Sequence, residues 1–304
     1  MTSTTSNQKS YFDIHTSGIG YIQRVREVQG KAGRKGPPSL WCTVAALVGP
    51  ATNPFKRYFD VRVSGAEAKK LVQPYVGIDD HQQRPLVRFR LGDLWVDPFI
   101  RPSGEHKGKA AASLKARLLI AELIDRTELA QVEQYELITH GIGYLRDPKD
   151  VPRTAGGSLL SCCIAALTGP VDVPTGEQRE YRYINTTVTN AAAQELVRLC
   201  VLPVEAKQKV LIAFRLNDMQ ASPYILKQGE KAGQAAASLE SELIHIGLIK
   251  VDGKQVHPQE SEAPATEGAP APEETVIAED DSEHPQPSVP VQTPVEEPAR
   301  AASF

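Results

Sequence analysis

The chain has 304 residues, enough for two domains of ordinary size and a terminal extension. It contains no run of about 18 apolar residues, so we expect no membrane-spanning segment, and its polar start lacks the apolar stretch of a signal peptide. The net charge of −3 hides an uneven distribution: 20 Lys and Arg against 12 Asp and Glu in residues 1–130, 13 against 14 in residues 131–254, and one against 11 in residues 255–304. A basic first part is compatible with a polyanionic partner, although a charged face is often only a solvated one.

Most of the chain consists of two similar copies of one set of sequence segments, in the same order. LWCTVAALVGP (40–50) returns as LSCCIAALTGP (160–170), and four other segments repeat in the same way, at an offset between 120 and 125 residues. What both copies keep indicates fold, and what one copy has lost indicates function. We therefore predict a first repeat at 11–126, a second repeat at 134–252, and a tail at 255–304.

The first three predicted elements of each repeat are strands. A first strand precedes residue 24, and 40–48 is a β-rich run that ends at a Gly-Pro turn signal. Residues 58–63 alternate polar and apolar, the period of a half-buried strand, which places Phe59, Val61 and Val63 in the core.

A helix and two further strands complete the repeat. The segments 66–73 and 191–199 are predicted helices, each preceded by capping residues. The fourth strand, 86–100, is long, and Gly92 with Asp93 is expected to bulge it. The last block, 111–124, has helix-forming composition, but its alternating Leu, Ala and basic residues favour a strand.

Five strands with a helix between the third and fourth is the order of the oligonucleotide- and oligosaccharide-binding (OB) fold. We therefore predict a mainly β protein: two tandem OB-fold-like five-stranded barrels, each with one short helix. Another small α+β barrel or sandwich is the alternative. The tail is rich in Pro, Glu, Ala and Ser and poor in large apolar residues, which predicts a disordered acidic segment.

The two tryptophans occur only in the first repeat. Trp41 stands where the second repeat has Ser161, and Trp95 stands where it has Gln220. A tryptophan that Ser or Gln can replace at a matched position does not belong to a core, and the alternation of apolar neighbours also turns both side chains outward. The alternative is burial between the two repeats or in a homo-oligomer contact.

Like the tryptophans, some basic side chains of the first repeat are missing from the second. Arg62 becomes Thr187 and Arg88 becomes Ala213, whereas Arg90 is kept. Exposed aromatic rings among basic residues suit unpaired nucleic acid, because every base has a face that can stack and every phosphate is anionic. The candidate binding residues are Trp41, Trp95, Tyr58, Arg62, Arg88, Arg90 and, in the connection between strands one and two, Arg24, Arg26, Lys31, Arg34 and Lys35.

Two resemblances follow from these segments. YFDVRVSGAEAKKLV (58–72), the basic loop ahead of LWCTVAALVG, the long fourth strand and the acidic C-terminus resemble bacterial single-stranded DNA-binding protein (SSB) in layout. The blocks GIGYI, REV, LWCTVAALVGP, YFDVRVSG and FRLGD resemble more closely a family of replication proteins carried on integrative conjugative elements. The second resemblance covers most of residues 11–254 and implies a role in replication or transfer of a mobile element. SSB-like proteins usually work with four OB domains, which implies a homodimer here.

The end of the tail departs from the SSB pattern, in which an Asp cluster followed by Ile-Pro-Phe docks on replication and repair proteins. Phe304 is kept, but Asp280 and Asp281 lie further back and Arg300 interrupts the charge. Two interpretations stay open. The tail binds replication or transfer proteins through Phe304, Asp280 and Asp281, or it is a solubilising segment that also repels the DNA groove.

The leading hypothesis is a non-enzymatic, cytoplasmic protein that binds single-stranded DNA without reading its sequence, mainly through the first repeat. The alternative is an interaction protein of the element's replication complex that binds no DNA and acts through its acidic tail. We expect no enzyme, since no histidine has metal or triad spacing and neither a P-loop nor G-x-G-x-x-G is present. The cysteines lack the C-x-x-C spacing of zinc sites, so we expect reduced thiols, no metal and no cofactor.

Overall fold

The structure is a computed structural model that describes residues 11–29, 37–78, 80–153, 156–172 and 178–258. The first repeat contains β1 (Tyr11–Phe12), β2 (His15–Val28), β3 (Ser39–Pro50), β4 (Phe55–Val63), α1 (Ala66–Val72), β5 (Leu86–Ile100) and β6 (Ala110–Leu123), with short 3-10 turns at Gln73–Tyr75 and His81–Gln83. After α2 (Arg126–Leu129), the second repeat contains β7 (Gln134–Tyr135), β8 (Ile138–Pro152), β9 (Ser158–Leu167), β10 (Gly169–Pro170), β11 (Tyr181–Val188), α3 (Ala191–Leu199), α4 (Val201–Glu205), β12 (Val210–Ile225), β13 (Ala235–Val251) and β14 (Lys254–His257).

Each repeat closes into a five-stranded barrel. In the first repeat the neighbours run β2–β3–β4–β6–β5 and back to β2, and only the β4–β6 pair is parallel. The second repeat closes in the same way through β8, β9, β11, β13 and β12. The helix lies between the third and fourth barrel strands in both. The predicted OB order is therefore confirmed, including the strand prediction for the last block.

Alternation along the strands fills each barrel. Phe59, Val61 and Val63 of β4 are buried, as predicted, whereas Tyr58 and Arg62 point to solvent. All four cysteines are free, and three of them, Cys42, Cys162 and Cys200, are buried in these interiors. Burial raises the pKa of Cys42 to about 12. A buried thiol with so high a pKa stays protonated and acts as a small apolar side chain.

Several boundaries differ from the sequence prediction. β2 continues to Val28 past a register shift between Gln23 and Arg26, with Arg24 at a φ of 53°, so Arg24 and Arg26 lie in a strand and not in the connection. The helix α4 was not predicted. β14 extends the folded part past residue 255, the predicted start of the tail. The predicted bulge in β5 is present as a register shift between Gly92 and Trp95.

The two repeats join through a seam that is close to two-fold symmetric. β2 pairs antiparallel with β8, where His15 faces His140 and Thr16 faces Thr139. The two threonine hydroxyls are buried and 2.9 Å apart. Each repeat also sends a short strand to the other: β1 pairs with β10, and β7 pairs with the end of β3. The two barrels therefore form one continuous folded unit rather than two domains on a linker.

One side of the seam is also closed by an ion pair. Arg57 of the first repeat donates two hydrogen bonds to Asp218 of the second, from Nε to Oδ1 at 2.7 Å and from Nη2 to Oδ2 at 2.8 Å. Both side chains are mostly buried. Hydrogen bonds to the carboxylate raise the pKa of Arg57, against the opposing effect of burial. This two-bond geometry is the strongest that a guanidinium and a carboxylate can make.

Replacing Arg57 by alanine should lower the free energy of unfolding by about 2 kcal/mol, because Asp218 is left charged and poorly solvated. Arg182 is the matched residue in the second repeat and makes only a 3.5 Å contact with Glu180. Arg182→Ala is therefore the control, with an expected loss below about 1 kcal/mol. Urea denaturation of both variants measures the difference, and equal losses would contradict a special role for the Arg57–Asp218 pair.

Candidate nucleic-acid interface

A row of basic and aromatic residues crosses the outer wall of the first barrel. Trp41 on β3 stands directly opposite Arg26 on β2 and Arg62 on β4. Arg62 in turn stands opposite Arg117 on β6. Adjacent strands lie about 4.8 Å apart. Four neighbouring strands therefore present their side chains in the order Arg26, Trp41, Arg62, Arg117, with the indole ring between the first two guanidinium groups and the third beyond them. We call these four residues the tryptophan row.

The strand pattern explains why Trp41 points outward. Leu40 and Cys42, on either side of it, are buried in the barrel, and Trp41 itself is only partly buried. Trp95 is also partly buried and stands opposite Lys115, one row further along the wall. It lines a cleft between the two repeats but is not enclosed there.

Carboxylates hold several of these basic side chains in place. Arg26 contacts Asp60 at 2.7 Å, Lys115 contacts Asp97 at 2.6 Å, and Arg117 contacts Asp93 at a longer 3.4 Å. These pairs are partly exposed, and such pairs contribute little stability. A phosphate can therefore replace the carboxylate at small cost.

Arg62 has no ion-pair partner within the part of the chain that the structure describes. Beside the tryptophan row, a shallow groove of about 450 Å³ includes Tyr58, whose side chain is 55% exposed. The groove is lined by Arg24, Arg26, Thr43, Tyr58, Asp60, Ala112 and Ser113. Six of the predicted binding residues therefore lie on this face or at its edge: Trp41, Trp95, Tyr58, Arg62, Arg24 and Arg26.

Arg88 and Arg90 are not brought together with this face. They lie before the bulge of β5, opposite Ile19 and Ser17 of β2. Along β2, Ile19 is about 23 Å from Arg26 and Ser17 is about 30 Å from it, at about 3.3 Å per residue. Arg88 contacts Glu128 at 3.6 Å. Arg90 lies near the seam, close to His15. Burial of the imidazole is the main cause that lowers the pKa of His15, and the positive charge of Arg90 lowers it further.

The remaining predicted residues cannot be placed. Lys31, Arg34 and Lys35 in the connection, and Asp280, Asp281 and Phe304 in the tail, lie outside the described residues. Within those residues, no group of three or more His, Cys, Asp or Glu side chains is arranged to hold a metal ion. Over the same residues, no helix has the length and apolar character needed to cross a membrane.

Sequence reasoning missed the clearest contrast between the two repeats. Lys115 and Arg117 on β6 correspond to Glu240 and Glu242 on β13, so the charge at these two positions is reversed. The alignment of the last block contained this signal. In the second repeat the face is a small polar cleft of about 210 Å³ lined by Ser161, Asn185, Thr186, Thr187, Asp218, Gln220, Glu240, Ser241 and Glu242.

Comparison with known proteins gives a family and two similar structures. A family model described as "Protein of unknown function (DUF3577)" matches residues 5–126 and again residues 128–265. No protein with a curated description matches the sequence. A deletion mutant of the single-stranded DNA binding protein from Thermus aquaticus is 10% identical with a TM-score of 0.43, covering 83% of this chain and 99% of that one. The wild-type protein is 10% identical with a TM-score of 0.41, covering 84% and 96%.

Proposed function

Since the chain belongs to the DUF3577 family, whose description names no activity, we propose a function from its own surface: it binds single-stranded DNA without catalysing a reaction. The observation that carries this proposal is the tryptophan row, in which Trp41 lies between Arg26 and Arg62 with Arg117 beyond. The second repeat has the same fold and keeps a cation, Lys149, in place of Arg26, but it replaces the other three residues with Ser161, Thr187 and Glu242. The difference between the faces is therefore a difference in binding and not in folding.

An exposed indole favours unpaired bases over a duplex. In a duplex the base faces are already stacked on one another, whereas in a single strand they are free to stack on Trp41 and Trp95, at about 1–3 kcal/mol per base. The neighbouring guanidinium groups neutralise phosphates and release counterions. Stacking reads no base edge, so the binding carries little sequence preference.

Tryptophan fluorescence should report this binding directly, because both indoles lie on the proposed face. We expect oligothymidylate to quench the emission, and Trp41→Ala or Trp95→Ala to weaken binding by about 1–3 kcal/mol each. The affinity should fall with salt, with a log–log slope of about −0.7 per phosphate contacted.

Ser161→Ala is the matched control, because Ser161 occupies the position of Trp41 in the second repeat. Its affinity should equal that of the unmodified protein. An absent quench together with salt-independent binding would reject the proposal. Equal affinity for duplex and single strand would reject the stacking mechanism.

The wider setting of this activity extends the proposal. The resemblance to replication proteins of integrative conjugative elements suggests replication or transfer of a mobile element, and the SSB-like layout suggests a homodimer with four barrels. The strongly acidic composition of residues 255–304 favours a second function, in which the tail binds a partner protein. Deleting the tail separates the two functions, since DNA affinity should stay or rise while the partner is lost.

A further inference from the structure

Three tyrosines lie side by side on the outer wall of the second barrel. Tyr181 and Tyr183 are on β11, and Tyr144 is on β8. The Tyr144–Tyr181 and Tyr181–Tyr183 ring centroids are each 6.3 Å apart, with interplanar angles of 58° and 41°. Tyr183 is 53% exposed. The first repeat has Lys56 in place of Tyr181, so this set of three rings is particular to the second repeat.

The tyrosines continue directly from Trp95. A cleft of about 610 Å³ between the repeats is lined on one side by Asp93, Trp95 and Val96, and on the other by Tyr181, Arg182, Tyr183, Ala237 and Leu239. A second cleft of about 450 Å³ shares Tyr181 and Tyr183 with the first. It extends to Tyr144 and to the exposed basic side chains of Arg146, Lys207 and Lys209, beside Asp147. We call the two connected clefts the tyrosine groove.

The opposite side of the seam shows why this groove is open. There Arg57 and Asp218 close the matched position with two hydrogen bonds. The residues that correspond to them are Arg182 and Asp93, but Asp93 contacts Arg117 instead. The two sides of a nearly symmetric seam therefore differ: one is shut by an ion pair, and the other is a cleft.

Arg182 is consequently short of partners. Its only ion pair with a described residue is the 3.5 Å contact from Nη1 to Glu180, and its buried Nε has no hydrogen-bond partner among the described atoms. A buried donor without an acceptor is costly. Because Nε is itself enclosed, the guanidinium has to turn toward the groove before a phosphate oxygen there can supply the missing acceptor.

We propose that the tyrosine groove is a second binding segment for the same DNA strand, which passes from Trp95 across the seam onto the second repeat. Bases stack on Tyr183 and Tyr181, and phosphates contact Arg182, Lys207 and Lys209. This inference rests on the proposed function, and it differs from the expectation that DNA binds mainly through the first repeat. The acidic face with Glu240 and Glu242 is not part of this path.

Two lengths of oligothymidylate separate the segments. One OB barrel covers about 4–16 nucleotides, so an oligomer of about 8 tests the first segment and one of about 24 spans both. Trp95 lines the tyrosine groove itself, so quenching is measured in a Trp95→Phe background, in which the remaining indole of Trp41 reports the first segment alone. Tyr183→Ala should weaken binding of the long oligomer about 10-fold and leave quenching by the short one unchanged. Tyr183→Phe keeps the ring and should bind both oligomers like the unmodified protein.

Arg182→Gln should reduce the salt slope for the long oligomer by about 0.7, the value for one phosphate on a single strand. Photo-crosslinking of a long oligomer that carries 5-iodouracil should label Tyr181 or Tyr183. Unchanged binding of the long oligomer to the Tyr183→Ala variant, with no label on the groove, would overturn this inference alone. Failure of both oligomers to bind would overturn the proposed function and the inference with it.

Discussion

Replacement of both Lys115 and Arg117 by glutamate is expected to weaken binding of single-stranded DNA on the order of 100-fold at about 0.1 M salt. The change gives the first repeat the side chains that the second repeat carries at Glu240 and Glu242. Loss of two phosphate contacts lowers the log–log salt slope by about 1.4 and accounts for about 25-fold. The two added carboxylates repel the strand and account for the rest.

Two further variants test this reasoning. Lys115→Gln with Arg117→Gln removes the contacts without adding repulsion, so its affinity should lie between those of the glutamate variant and the unmodified protein. Glu240→Lys with Glu242→Arg is the reciprocal change in the second repeat and should strengthen binding. Melting curves check folding, since Lys115 and Arg117 contact Asp97 and Asp93. An affinity that is unchanged in all three variants would remove this face from the binding site.

Gly20→Ala is expected to destabilise the protein more than the other substitutions considered, by about 3–5 kcal/mol. A Cβ at this position would lie 2.6 Å from the carbonyl oxygen of Ala45 and 2.8 Å from the Cα of Ala46. Both are backbone atoms of the neighbouring strand, so no side-chain rotation relieves the contact. The closed barrel can accept it only by separating β2 from β3. The second repeat keeps the same close approach at Gly143, 2.7 Å from the Ala165 carbonyl oxygen.

Gly247 offers a matched control in a strand. The nearest atom to a Cβ there is the His245 Nε2 at 3.6 Å, an ordinary contact. Gly247→Ala should therefore be neutral or stabilise by up to about 1 kcal/mol, because alanine restricts the unfolded chain. Thermal unfolding should show a loss of about 10 °C for Gly20→Ala and none for Gly247→Ala. Similar melting temperatures would show that β2 and β3 can separate at little cost.

The fold could be predicted because its signals are local. Alternation placed Phe59, Val61 and Val63 inside the barrel, and the duplicated segments identified Trp41 as a surface residue. A strand could be preferred to a helix at 111–124 because polar residues alternate with apolar ones there. None of these inferences needs to know which strands are neighbours.

The binding face could be predicted only in part because it depends on register between distant strands. Nothing local shows that Arg62 stands between Trp41 and Arg117. Arg88 was grouped with them because the second repeat replaces it with Ala213, yet the bulge of β5 separates it from Trp95. Arg24 and Arg26 were assigned to a loop because the irregularity in β2 resembles a strand end.

The tyrosine groove lay beyond sequence reasoning for a similar reason. Tyr183 aligns with Tyr58, and Tyr144 aligns with Tyr21. Because both repeats have tyrosine at these positions, a comparison of the two sequences does not single them out. Their significance comes from a seam in which one Arg–Asp pair forms and its counterpart does not. That asymmetry is a property of packing between the barrels.

The seam also bears on how such a molecule can vary. In a dimer of identical subunits, every substitution appears twice, and both surfaces change together. Here the paired barrels are encoded once each, so Arg117 and Glu242 can occupy matched positions in one molecule. The two barrels therefore present different surfaces. An elongated polymer that lies across both would contact them in a fixed order, so one polarity of the polymer is preferred over the other.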